Sequence, residues 1–167
     1  MEVEAYLGLH DPASHAAERI GRTARNDVMY GRPGLAYVYL IYGMHWCVNV
    51  VTGTEGVPSA VLIRALDPLA GEDVMAERRS RRPLTSGPAR LCQALGVTGE
   101  LNGHDLAHPP LTLAPGWPVD PGRVATSPRI GVTRAADWPL RFYLAGHRAV
   151  SGPRSLNTSD PVLRRNV

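Results

Sequence analysis

The stretch LAYVYLIYGMHWCVNVVT, residues 35–52, decides the fold. It is dense in β-branched and aromatic residues, which favour extended backbone, and it carries a single glycine, Gly43, near its middle. The pattern predicts a β-hairpin: a strand over 35–42, a turn near Gly43 and a strand over 45–52. Successive side chains alternate across a strand. Tyr37, Tyr39 and Ile41 therefore share one face and Val38, Leu40 and Tyr42 the other, while His45, Cys47 and Asn49 share a face of the returning strand. Tyr42 abuts the turn and so stands at a tip. A tyrosine there is either a staple folded back on the sheet or a wedge offered to a partner. Asn49, among β-branched neighbours, needs hydrogen-bond partners if buried. It is either a satisfied core amide or a contact to the edge of a bound ring.

Working outward, SAVLIRAL (59–66) reads as a third strand after a Gly-Val-Pro break. Arg64 interrupts its apolar run, and a buried arginine requires a carboxylate or carbonyl partner. Glu4 is the natural candidate. Such a pair is either a structural ion pair or, facing a cleft, a holder of water. PLAGEDVMAERRSRR (68–82) places acids ahead of bases, and SGPARLCQALG (86–96) has Pro88 in its first turn and Gly96 at its end; both read as helices. Short strands are expected at 111–114, 129–133 and 139–145. Upstream, residues 7–34 read as a long loop with one short helical turn, and loops of that length in compact domains are usually functional or disordered. In EVEAYLG (2–8), Glu2, Glu4 and Tyr6 share one face. That pattern alone favours a solvated edge strand whose charges block aggregation over acids facing a cleft. The whole predicts an α+β single domain over 1–150: a curved antiparallel sheet (an open roll) with a protruding hairpin and flanking helices. Residues 151–167 are expected to form a loosely ordered tail.

A length of 167 residues suits one domain. No apolar run is long enough to cross a bilayer, so no membrane association is expected and a cytoplasmic protein is. Two cysteines, Cys47 and Cys92, without a CxxC pairing, argue for buried thiols rather than a disulfide framework or zinc site. No metal or cofactor is expected. The net charge of +3 and pI near 9.2 lean mildly toward a polyanionic partner. All 18 basic residues are arginine, whose planar fork suits phosphate. Arg78, Arg79, Arg81 and Arg82 cluster at a helix end, as phosphate contacts or as a solvated terminus favoured by the helix dipole.

In order along residues 2–145, EVEAYLG, the histidine of DPASHA, GRPGLAYVYLIYGMHWCVNVV, VLIRALDPL, SGPARLCQALG and RIGVTRAADWPLRFYL resemble the alkyladenine (3-methyladenine) DNA glycosylase family. The resemblance implies an enzyme that flips alkylated or deaminated purines from double-stranded DNA and hydrolyses the N-glycosidic bond. It implies that Glu4 is the general base and that Arg64, with the backbone of Ile130, helps hold the nucleophilic water. By the same token Tyr6, His15 and Tyr39 would form the base pocket and Asn49 would crowd the 2-amino group of normal guanine. Tyr42 would intercalate through the minor groove. It further implies a nucleoid-associated monomer, and an N-terminal segment ahead of the catalytic strand, whereas Met1 here stands three residues before Glu4. Strand-cutting glycosylases use an amine for a Schiff base. This chain has no lysine, so a monofunctional enzyme is expected. Two alternatives stand beside it: a catalytically inactive binder of damaged DNA, and a hydrolase of free nucleosides.

Overall fold

The computed structural model describes residues 1–152. Most of the expected tail, 153–167, lies outside the described residues. Six strands, β1 (Glu2–Tyr6), β2 (Ala36–Ile41), β3 (His45–Thr52), β4 (Ser59–Ala65), β5 (Val124–Ser127) and β6 (Arg141–Leu144), form one open sheet in the order β2-β3-β4-β1-β6-β5. All neighbours are antiparallel. Two helices, α1 (Glu72–Arg78) and α2 (Pro88–Leu95), complete an α+β domain. None of the helices among the described residues is long and apolar enough to cross a membrane.

The β2–β3 hairpin forms as its composition predicts, with Tyr39 opposite Cys47 and Ile41 opposite His45. Its turn has positive φ at both Tyr42 (54°) and Gly43 (69°), and the Met44 N–H donates to the Ile41 carbonyl at 3.2 Å. Positive φ at both central residues is the type I′ arrangement, whose twist matches that of the flanking strands. Glycine takes this conformation freely; a tyrosine does so at a steric cost. Tyr42 nevertheless holds it with its side chain 80% exposed.

The sheet buries both faces. On one, Ala36, Val38 and Val48 pack with Leu91 and Cys92 of α2 and with Val97 and Leu106. Pro88 begins α2 and Gly96, at φ 71°, ends it. Truncating the fully buried Leu91 to alanine should cost about 2–5 kcal/mol. On the other face, Tyr37, Val51 and Ala60 pack with Ala16 and Met29 from the long segment after β1. That segment contains two short 3-10 turns, Gly8–His10 and Asp27–Tyr30. Buried polar side chains order the rest of it. Asn26 donates to the carbonyls of His15 and Gly21, each at 2.8 Å, and Asp11 accepts from the backbone of Leu7 and Ala13.

Several expectations need correction. β1 is not a solvated edge strand: it lies between β4 and β6, and Glu2 and Glu4 are buried. The helix expected over 68–82 is confined to Glu72–Arg78, because Gly71 adopts a left-handed conformation before it and Arg79 is extended after it. No strand forms at 111–114, where Pro110 and Pro115 flank the run and cannot donate to a ladder. Nor does one form at 129–133; the strand is instead Val124–Ser127, ahead of Pro128. The third expected strand, 139–145, appears as β6. Cys47 and Cys92 are free and buried, as expected.

Candidate active site

Between the hairpin, β4 and the long segment lies a cavity of about 280 Å³. Tyr6, His15, Tyr39, Asn49, Arg64 and Ile130 all line it. Tyr6 comes from the end of β1, Tyr39 and Asn49 from the facing strands of the hairpin, and Arg64 from β4. Strand alternation thus delivers these side chains to one face of the sheet. His15 and Ile130 arrive from loops laid over that face.

Glu4 lies behind this lining, with no exposed surface. Its Oε1 accepts from the Ile130 backbone N–H at 2.7 Å and pairs with Arg64 Nη1 at 3.1 Å. Its Oε2 accepts from the Tyr6 hydroxyl at 3.1 Å. A carboxylate offers about four acceptor sites over its two oxygens. Among the described residues Oε1 takes one hydrogen bond and one ion pair, while Oε2 takes the Tyr6 hydroxyl alone. Burial, followed by the Glu4 charge, pushes the Tyr6 phenol well above its ordinary range, so it remains a donor. The two hydrogen-bond donors to Glu4 and its ion-pair partner all belong to residues that line the cavity.

His15 packs edge-on against Tyr39, with ring centroids 4.4 Å apart, and its Nδ1 lies 2.8 Å from the Tyr37 hydroxyl. Burial and the nearby Arg25 lower the imidazole pKa to about 4, so the ring is neutral at neutral pH. Burial raises the Tyr37 phenol to about 12, opposed by the charge of Arg25. Asn49 is both a satisfied core amide and a cavity wall: its Nδ2 donates to the Tyr37 carbonyl at 3.0 Å.

The remaining candidates stand apart. Tyr42 and the neighbouring Met44, 68% exposed, project from the hairpin tip and do not line the cavity. Arg78 donates to the Ala94 carbonyl, Arg79 to Pro83 and Gln93, and Arg82 to Glu72; none of these lines the cavity.

Sequence reasoning gave no role in the site to four charged residues, Arg129, Asp11, Glu2 and Arg141, that brace its members from behind the cavity lining. Arg129 forms a bidentate pair with Asp11, donates to the Ala5 carbonyl at 3.0 Å and lies over the Tyr6 ring. Its Nε has no partner among the described residues. Glu2 accepts from Arg141 Nε at 2.7 Å and Arg64 Nε at 2.9 Å. The available signals were the shared strand face of Glu2 and Glu4, and arginines standing inside otherwise apolar motifs. His104 and His108 stand four apart, a spacing that can bind metal, but His104 Nε2 faces the backbone carbonyls of His108 and Leu111. No metal-capable cluster of three His, Cys, Asp or Glu residues occurs among the described residues.

Comparison with known proteins places the chain by its sequence. The profile of one family, described as "Methylpurine-DNA glycosylase (MPG)", matches residues 1–148. A relative from Methanoculleus marisnigri, named "Putative 3-methyladenine DNA glycosylase", is 53% identical over 157 residues, spanning 90% of this chain and 80% of its own. One of the same name from Frankia casuarinae is 51% identical over 167 residues, spanning 92% and 78%. Another, from Rhodopseudomonas palustris, is 51% identical over 156 residues, spanning 92% and 75%.

Proposed function

Because the chain belongs to the methylpurine-DNA glycosylase family, we propose that it hydrolyses the N-glycosidic bond of damaged purines flipped out of duplex DNA. The substrate class is 3-methyladenine, 7-methylguanine and hypoxanthine in double-stranded DNA. The observation that carries the reading is the Glu4 carboxylate, fully buried and held by two hydrogen bonds and an ion pair behind an aromatic cavity.

The chemistry follows from these placements. A base inside a duplex hides its glycosidic bond, so the nucleotide must rotate out. Tyr42 fills the gap in the stack, and the exposed, fixed turn suits an inserted wedge. Tyr6, His15 and Tyr39 grip the extruded base; base–aromatic stacking is worth about 1–3 kcal/mol and tolerates different purines. A cationic alkylpurine gains further attraction from the aromatic faces. Asn49, fixed by its bond to Tyr37, excludes the normal guanine by crowding its 2-amino group. Glu4 Oε2, with its remaining acceptor site, takes the proton of the water that attacks the sugar C1′. Its charge offsets the positive charge that develops on the sugar. His15, neutral above about pH 4, adds no opposing charge beside that centre.

Arg81 and Arg82 serve as phosphate contacts in this reading, and Arg78 and Arg79 chiefly brace α1 on α2. The enzyme acts as a monomer, on the nucleoid, and leaves an abasic site without cutting the strand.

The test is release of base from duplexes carrying hypoxanthine or 3-methyladenine. The expected result is an abasic, alkali-labile product and no adduct trapped by borohydride. Wild-type protein that binds damaged duplex but releases no base would overturn the enzymatic reading; a trapped adduct would overturn the monofunctional one.

A further inference from the structure

We infer that Glu2 is a positioning residue: through Arg64 it fixes where the Glu4 carboxylate points. The inference rests on Glu4 being the general base. Glu2 is 1% exposed and lies at the centre of a buried network. Its Oε1 accepts from Arg64 Nε (2.9 Å), Arg141 Nε (2.7 Å) and the Ser151 hydroxyl (2.9 Å), and its Oε2 from the Ser151 backbone N–H.

The two arginines are engaged differently. Arg141 also donates to the Ser127 hydroxyl and the Ser151 carbonyl, tying β6 to β5 and to the segment after it. Arg64 divides its fork: Nε goes to Glu2 and Nη1 to Glu4 at 3.1 Å. A guanidinium is planar and rigid, so fixing Nε fixes the direction of Nη1. Stability alone does not call for such a set, since apolar residues of similar volume usually serve as well as a buried ion pair. What the set supplies is a defined position for one nitrogen against the reacting carboxylate. The groups facing Glu4 are Tyr6 of β1, Arg64 of β4, Cys47 of β3 and Arg129 of the loop after β5.

The experiment measures single-turnover base release across pH, together with duplex affinity, for wild type, Glu4→Gln, Glu2→Gln and Glu2→Asp. Glu2→Gln should slow release at least about tenfold, as small misplacements of reacting groups do, while affinity for damaged duplex stays within about threefold. The acid limb of its pH profile should move to lower pH, because Glu4 then meets Arg64 without a competing carboxylate. Glu2→Asp should restore the limb and only part of the rate, having the charge but a shorter reach. If Glu2→Gln does not fold, Ser151→Ala, which removes a hydroxyl bonded to both Glu2 and Arg64, should slow release by less and move the limb the other way, to higher pH, because Glu2 keeps its charge and loses a donor that competes with Arg64. A folded variant of either kind with wild-type rate and limb overturns the inference while wild type is active and Glu4→Gln is inactive. An inactive wild type overturns both readings together.

Discussion

The Arg129 guanidinium lies 4.7 Å from the centroid of the Tyr6 ring, on a side chain clamped by Asp11. Cation–π contacts of this kind are worth about 0.5–2 kcal/mol, more when desolvated. Both charged side chains are fully buried, and Arg129 also donates to the Ala5 carbonyl, which ties the loop that carries His15 to the strand that carries Glu4. Breaking a buried pair by removing one partner costs about 3–5 kcal/mol. Asp11→Asn should therefore lower the melting temperature sharply, and calorimetry of the two proteins at pH 7 checks it.

The same pair sets an acid limit on stability. Burial pushes the Asp11 carboxyl up, but the hydrogen bonds from Arg129, Ala13 and Leu7 outweigh it and hold the group below its ordinary 3.8. A folded-state value below the unfolded one means that the folded state binds fewer protons. The contribution is complete above the ordinary aspartate range and is lost as pH falls through the folded value. Glu2 behaves in the same sense: burial raises its pKa, but bonds from Arg141 and Ser151 bring it below 4.5. Melting temperature against pH should fall steeply below about pH 4, and less steeply in Asp11→Asn. Equal slopes would show that Asp11 is not one of the titrating groups.

His15 makes a separate pH prediction. Its folded pKa, lowered by burial to about 4, lies below the ordinary 6.5. Between those values the unfolded chain carries a proton that the folded ring lacks, so its contribution to stability declines as pH falls from about 6.5 toward 4. In NMR, the His15 ring signals should stay constant from pH 8 to about 5.5. A midpoint near neutrality for His15 would contradict the buried, neutral ring.

The hairpin is where the sequence was most readable. Its signals are local: β-branched residues, one glycine and strict alternation. They group Tyr39 with Tyr37 and Ile41, and Asn49 with His45 and Cys47, before any tertiary contact is known; the register then puts both groups on one face. Helix α2 was legible for the same reason, from Pro88 and Gly96. The role of Glu4 was harder to see. Its burial depends on strand order, which puts β6 beside β1 across 139 positions and brings Arg141 against Glu2. No local pattern encodes that pairing. The segment 129–133 misled in the opposite way. Its apolar residues suggest a strand, but Gly131 adopts positive φ and the Ile130 N–H turns to Glu4 instead of a ladder partner.

Two substitutions should separate catalysis from extrusion. Glu4→Gln keeps the shape of the site and removes the base, so cleavage should fall by about 10²–10⁴ while binding to damaged duplex is retained. Gel-shift affinity measured beside single-turnover rate tests this. Tyr42→Ser touches an exposed side chain and should leave melting within about 0.5 kcal/mol of wild type. It should nevertheless weaken capture of damaged duplex, because the vacated stack is left unfilled. Undiminished activity on duplex would point instead to free nucleosides as substrates.

The arginine cluster divides by its internal bonds. Arg81→Gln combined with Arg82→Gln should lower the slope of log affinity against log salt by about 2, near 0.9 per phosphate contact. Arg78→Ala should instead cost about 1 kcal/mol of stability, the net worth of its bond to the Ala94 carbonyl. A salt slope unchanged in the double variant would assign the cluster to the helix end alone.

Glu2, Glu4, Arg64 and Arg141 form a buried set whose formal charges cancel. Its consequence is evolutionary. Replacing any one member leaves an uncompensated charge in the interior, so each single step away from the set carries a cost that a paired step avoids. Descendants that abandon one member should also have abandoned an opposite partner. The four positions are thus expected to behave as one heritable character, changing together or not at all, even where the rest of the strands drift freely.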